Sequence, residues 1–410
     1  MSRREFILAG SALLGTFFIG GAPVLAEVER LSFDNQSSHI QDRVLVVVQL
    51  TGGNDGINTI IPFGQGAYYD ARPTLQLKEH EVLLINGALG FHPSLKGFQR
   101  LYQQGKLAIV QGVGYPKPDL SHFRSMEIWQ TAEPESMITS GWLGRYMESL
   151  DRTVPPLFAA QIGGNTGMKA FDSNLVHVPI IQSISSFHYR SHPNRLDKKG
   201  TEWLHEAFTA MYQPQAQEPS LRAAAIQGKQ ACDTIQALQA LPELSKGQAV
   251  YPDSGFAKDL QTVVRMLAGR SGTKVFYTQL DGFDDHADEK EQHAILLKEL
   301  DESLSAFYDD LKNRGLHERV VTVVFSEFGR RVRENSSKGT DHGTAAPMFV
   351  IGGKVKGGLY GEYPSLSNLV SEDLKYEVDF RSVYYTLIDK WLRGDAKSVL
   401  GRSYETLAFL

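Results

Sequence analysis

The chain of 410 residues has a single cysteine, Cys232. An internal disulfide is therefore excluded, even in an oxidising compartment. The fold must be held by its core, with or without a bound metal. No block of lysine and arginine occurs, and the formal net charge is −5. That balance excludes a nucleic-acid partner, which needs a basic patch. Low-complexity linkers and internal repeats are also missing. Beyond the N-terminus no apolar run approaches the about 20 residues needed to cross a bilayer, so no stable membrane anchor is expected.

What is present first is an N-terminal address. "MSRREFILAGSALLGTFFIGGAPVLAEVER" carries Arg3 and Arg4, a short glycine-diluted apolar run from Ile7 to Ile19, and small residues ending at Ala26. This is a charged region, an apolar region and a cleavage site in the order of a signal peptide. The paired arginines in that setting mark the twin-arginine (Tat) route. The expectation is cleavage after Ala26 and a protein located in the periplasm or secreted, with the Tat export machinery as a partner. That route carries folded cargo, often with its cofactor already in place. Residues 27–410 are then expected to form a single domain.

With 42% hydrophobic and 22% charged residues, the composition is that of an ordinary globular protein. Continuous β-branched runs such as "DRVLVVVQL" (42–50) and "RVVTVVF" (319–325) have the character of strands buried on both faces. Similar segments lie at 106–114, 157–164, 176–182, 273–280 and 347–353. From about 200 to 270 the apolar spacing becomes helical. A long amphipathic helix is expected from His286 to Arg314, with Ile295, Leu296, Leu300, Leu304, Phe307 and Leu311 along one side. "FRSVYYTLIDKWL" reads as a surface-packed C-terminal helix. Buried strands separated by helices predict an α/β fold, a doubly wound and mostly parallel sheet with helices on both faces.

In such a sheet ligands gather at the carboxyl ends of strands, and chemistry-bearing residues follow several of these strands. "LTGGNDGINT" holds Asn54 and Asp55, and "DGFDDHAD" holds Asp281, Asp284, Asp285 and His286. "SEFGRR" holds Glu327, Arg330 and Arg331, and "GTDHGTAAP" holds Asp341 and His342. Each alone is ordinary turn chemistry, since Asx residues and glycine serve turns without any catalytic role. Four such turns at one sheet edge are another matter. Carboxylates brought together repel unless a cation, a proton or an arginine stands among them, and with neutral imidazoles they make a ligand set for a divalent metal.

The motifs "GGNDGINTIIPF", "SHFRSMEIWQT", "GWLGRYM", "DGFDDHAD", "SEFGRR" and "DHGTAAPMFVIGG" resemble a Tat-exported bacterial family of unknown function within the alkaline phosphatase and sulfatase superfamily. The resemblance implies an alkaline-phosphatase-like fold with one or two divalent metals, at which phosphate or sulfate esters are cleaved. It places Asp55, with Asn54 beside it, at the superfamily's first-strand acid. Asp284 and His286 resemble an Asp–His metal pair, and His342 resembles a late histidine ligand. Glu327 stands where an aspartate is usual, and Phe328 where a second histidine is usual. Phenylalanine cannot ligate, which argues against a symmetric two-zinc site.

Two ligand groups follow. Asp284, His286 and His342 suit zinc or manganese, whereas Asn54, Asp55 and Glu327 form an all-oxygen set suited to magnesium, calcium or manganese. One mixed site is equally compatible. Arg330 or Arg331 is expected to clamp an anion. The superfamily also implies a nucleophile at a helix N-terminus. Ser121 is the candidate there and Thr59 the reserve, while Ser121 can equally be a plain helix cap. His122 is placed to act as general acid or base or to line the pocket. No cysteine or serine has the Cys-x-Pro-x-Arg setting of a formylglycine sulfatase. The resulting expectation is a metal-dependent hydrolase of phosphate or, less favoured, sulfate esters, on a small molecule or a polysaccharide. Its alternative is a non-catalytic binding or envelope protein with a degenerate site.

Overall fold

The structure is a computed structural model that describes residues 43–150, 154–186, 219–243 and 249–410, together with 19–20, 188–189, 203, 206–208 and 210. The expected signal peptide, apart from residues 19–20, lies outside the described residues, as does most of 187–218.

The β-branched runs form strands because such side chains pack well on a pleated, buried surface. They are β1 (Val44–Thr51), β2 (Leu107–Gly114), β3 (Ala159–Ile162), β4 (Ile180–Ile181), β5 (Val275–Asp281) and β6 (Val320–Ser326). A hairpin of β7 (Arg330–Glu334) and β8 (Thr340–His342) follows. Then come β9 (Ala346–Gly352), β10 (Gly358–Tyr360) and β11 (Val378–Asp379). The main sheet runs β10-β2-β9-β6-β1-β5-β3-β4, with β11 also on β2. Only β9 is antiparallel to its neighbours in this sheet. The segment at 176–182 contributes just the two residues of β4.

Helices cover both faces. One face carries α1 (Lys96–Gln103), α5 (Gly255–Ala268) and α6 (Glu289–Asn313), and the other α2 (His122–Thr131), α3 (Trp142–Glu148) and α7 (Phe380–Thr386). A further helix, α4, spans Pro219–Gln239. The period of two in β1 divides the core. Val44, Val46, Val48 and Leu50 pack with Phe98, Leu260, Leu300 and Leu304, while Leu45 and Val47 pack with Trp129, Trp142 and Tyr384.

Two helix expectations are corrected. α6 begins at Glu289 rather than His286 because Asp288 adopts a left-handed conformation at its N-cap, φ +46°. Ile295 lies on the exposed side of α6, 60% accessible, while Leu296, Leu300, Leu304, Phe307 and Leu311 are buried. The C-terminal helix also sits deeper than its expected surface position, since Phe380, Val383, Tyr384 and Leu387 are fully buried. Among the described residues no helix is long and apolar enough to cross a membrane.

Candidate metal centre

The parallel strands β1, β5 and β6 end side by side, with Asp281 opposite Thr51 and Ser326 opposite Leu50. The turns after them are therefore neighbours, although the chain separates them widely. The approach is close. A Cβ on Gly52 (φ +115°) would lie 2.5 Å from the Asp284 amide nitrogen, and one on Gly339 would lie 2.3 Å from the carbonyl carbon of His286. The β7–β8 hairpin brings His342 opposite Arg330, and the N-terminus of α2 supplies His122.

Four side chains converge there. His122 Nε2 lies 3.3 Å from Asp284 Oδ2, and His342 Nε2 lies 3.1 Å from Asp284 Oδ1. His286 Nε2 is 3.0 Å from both Asp284 Oδ1 and His342 Nε2. His122, Asp284 and His342 each offer one ligand atom within 4.8 Å of the others. The group is open to solvent on one side, with Asp284 exposed and both of these histidines half-buried.

The tautomers are set from behind. His342 Nδ1 is 2.8 Å from the Leu120 carbonyl, which can only accept. His122 Nδ1 is 2.8 Å from Glu327 Oε1. With both Nδ1 atoms donating, the neutral rings turn Nε2 lone pairs toward a carboxylate that also has only lone pairs. His122 Nε2 is buried and finds no hydrogen-bond partner. This donor set fits a divalent cation, with the second nitrogen of each ring held by an acceptor as is usual for metal-bound histidines. Glu327 and Asp284 hold the His122 ring above its ordinary pKa, the Glu327 hydrogen bond being the largest influence. Burial opposes charge on Asp284, yet the hydrogen bond and charge of Arg330 bring its carboxyl down to about 2.

Glu327 itself is wholly buried and accepts the Gly52 N–H at 2.8 Å through the oxygen that meets His122. The structure thus places it behind His122 as the group that orients the ring. Phe328 packs against both imidazoles, its ring 4.9 Å from His122 and 4.7 Å from His342. Arg330 is buried too. Its guanidinium donates to the carbonyls of Gly52, Gly53, Phe283 and Thr340 and to Asp284 Oδ1. It rivets the three turns together, a setting unlike that of a solvent-facing anion clamp. Arg331 is half-exposed, 3.4 Å from Glu372. Ser121 is the exposed N-cap of α2 and makes no side-chain capping bond.

Asn54 and Asp55 are not brought to this cluster. The Asp55 carboxylate is paired on both oxygens with the buried Arg72 guanidinium and also caps the helical turn Gly56–Thr59 through the Ile57 N–H. Asn54 Oδ1 meets His293 Nε2 at 2.9 Å, and its amide donates to Thr59 at 2.9 Å. Thr59, the reserve nucleophile, is fully buried, with its hydroxyl on the Asp55 carbonyl. Asp55, Glu289 and His293 make a second group of potential ligands, all three buried. Sequence reasoning missed Arg72, Glu289, His293 and the ligand geometry of His122. A signal existed for two of them, because Glu289 and His293 stand four apart on the face of α6 that continues into Leu296, Leu297 and Leu300.

A family model described as "Protein of unknown function (DUF1501)" matches residues 102–390. No curated protein matches the chain by sequence. Similar solved structures include the lipoteichoic acid synthase LtaP from Listeria monocytogenes, 10% identical over 82% of this chain and 75% of that one, with a TM-score of 0.33. A protein in the alkaline phosphatase superfamily from Vibrio parahaemolyticus is 11% identical over 88% and 69%, with a TM-score of 0.35. Alkaline phosphatase from the Antarctic bacterium TAB5 is 10% identical over 78% and 94%, with a TM-score of 0.31. Similarity at this level says nothing about chemistry, which rests on the side chains above.

Proposed function

We propose that this chain, which belongs to the DUF1501 family of proteins of unknown function, is an exported metal-dependent hydrolase of phosphate esters, with sulfate esters less favoured. The observation that carries the reading is the convergence of His122, Asp284, His286 and His342, with two imidazole lone pairs fixed toward one carboxylate. Three nitrogens and a carboxylate favour zinc or manganese over magnesium or calcium. A divalent ion in that position supplies positive charge beside an ester oxygen and makes an attacking hydroxyl group more acidic.

The chain's own residues do the rest. Glu327 and the Leu120 carbonyl hold the His122 and His342 tautomers. Arg330 fixes Asp284 against the main chain of the β1 turn. Ser121, exposed and uncommitted at the N-terminus of α2, offers a nucleophilic hydroxyl where free helix N–H groups favour an anionic oxygen. The paired arginines Arg3 and Arg4 support Tat export to the periplasm or beyond. The substrate is a small-molecule or polysaccharide ester. A second reading, a binding protein without turnover, is favoured by one observation: the Arg330 guanidinium is spent on main-chain carbonyls and Asp284.

The test is metal content by mass spectrometry on wild type, His286→Ala and His342→Ala, alongside turnover of p-nitrophenyl phosphate and p-nitrophenyl sulfate. One ion per wild-type chain, lost from both variants, with phosphate turnover that Ser121→Ala abolishes, is the expected result. A folded wild type that takes up no zinc or manganese sinks the proposal. Metal without turnover of either ester leaves the binding protein.

A further inference from the structure

Behind the metal centre lies the second buried group, and its charges do not balance. Asp55 and Glu289 bring two carboxyls, and Arg72 brings one guanidinium. The other titratable groups facing them cannot supply the missing positive charge. His293, on the same helix, has its Nε2 on Asn54 Oδ1, and burial pushes this imidazole down to about 4. His92, from the loop after Phe91, packs its ring 5.9 Å from His293, and burial pushes it down to about 3. Tyr68 and Tyr363 are phenols raised by burial. Lys290 and Arg330 act on the histidines from a distance, each lowering one of them.

A divalent ion does not fit here. Both Asp55 oxygens are already bonded to Arg72, and an ion there would press against a buried guanidinium. The local hydrogen bonding points to something smaller. Glu289 is 2% exposed; its Oε2 accepts from the Thr340 hydroxyl at 2.6 Å, and its Oε1 has no donor in reach. Glu289 and Asp55 each offer a carboxyl oxygen within 4.8 Å of the other. Two buried carboxylates brought that close repel unless a proton stands between them.

We infer that Glu289 is a neutral carboxylic acid that donates its proton to Asp55 and thereby serves as a positioning residue for the metal centre. Glu289 starts α6, directly after the turn bearing Asp284 and His286. Thr340, which it accepts from, lies two residues before His342 on β8. Asp55 belongs to the β1 turn, where Gly52 and Gly53 accept from Arg330. One shared proton therefore ties together the three segments on which Asp284, His286, His342 and Arg330 depend. Burial, and next the Asp55 charge, push this carboxyl up to about 9, in keeping with a proton retained at neutral pH.

This inference builds on the proposed metal centre, and the experiment separates the two. Infrared difference spectra of the full chain, wild type against E289Q, are recorded near neutral pH. Zinc affinity is measured for wild type, E289Q and E289A, and bound metal is quantified for E289Q and His342→Ala. A carbonyl band of a protonated carboxyl that is absent in E289Q and fades as pH rises past neutrality is the expected result. E289Q, whose amide donates to Asp55 and accepts from Thr340, keeps zinc affinity, and E289A loses roughly tenfold or more. No such band overturns the inference, as does a stoichiometric ion lost from E289Q and retained by His342→Ala. Equal zinc affinity in E289A and wild type removes the positioning role. If wild type binds no zinc, the hydrolase reading fails, and the band still decides the state of Glu289.

Discussion

Glu327 and His122 meet at 2.8 Å although they stand 205 positions apart in the chain. The buried acid holds Nδ1 of the ring and leaves Nε2 for the cluster. Glu327→Gln keeps the shape of the side chain and exchanges a charged acceptor for an amide. Zinc affinity is expected to fall between about tenfold and a hundredfold, the usual effect of losing a group that orients a metal-bound histidine. Isothermal titration measures it. Unchanged affinity in a folded E327Q protein would show that the ring needs no such support.

Asp55 and Arg72 form a buried ion pair whose loss acts on stability. Asp55→Ala leaves the guanidinium without its carboxylate, and breaking one side of a buried pair costs about 3–5 kcal/mol. The urea midpoint is expected to drop accordingly. The chain that remains folded should still take up its metal, since Asp55 supplies no ligand to the cluster of His122, Asp284, His286 and His342, with an affinity weakened as in E289A by loss of the shared proton. Loss of the metal with the fold intact would return Asp55 to the ligand set.

The buried imidazoles make the fold sensitive to mild acid. Burial lowers His92 to about 3 and His293 to about 4, below the ordinary 6.5. Between those values and 6.5 the unfolded chain binds more protons than the folded one. Stability is thus fully present above 6.5 and falls as pH drops through this window, by up to about 1.4 kcal/mol per pH unit for each histidine. Urea midpoints across this range should slope less steeply for His293→Gln than for wild type. Parallel slopes would show that His293 is protonated in the fold.

Gly52 is the point where the β1 turn touches the Asp284 turn. At φ +115°, with the Asp284 amide nitrogen 2.5 Å from where a Cβ would sit, alanine has no room and no comfortable backbone conformation. Gly52→Ala is expected to displace Asp284 and weaken zinc binding by roughly tenfold or more while the sheet persists, a loss in line with strain at a special backbone position. Circular dichroism together with zinc titration reads both effects.

The sheet was legible because runs such as "VLVVVQL" and "VVTVVFS" carry their burial in every residue. Ile295 misled for a simple reason. It neighbours Leu296 in sequence but stands about 100° around the helix from it, outside the stripe of Leu296, Leu300, Leu304 and Leu311. The turns bearing Asp284, His286 and His342 were legible because glycine and acidic residues mark strand ends. The second cluster was not, since Arg72 and His92 look like any surface loop residues until the fold brings them to Asp55. Arg330 shows the same limit from the other side. Its residue type fits an anion clamp, and only its carbonyl partners, 277 and 278 residues away for Gly53 and Gly52, show it bonded inward.

The order of strands has a temporal consequence. β1 is flanked by β5 and β6, so the first long strand finds both partners only after more than half the chain has intervened. Topologies so rich in distant contacts fold slowly, because loop closure must precede its reward. The ligand cluster draws on α2, the turn after β5 and the end of β8, and no partly folded intermediate owns it. Uptake of an ion would then report that the last long-range pairing has closed, making metal content a gauge of completed folding.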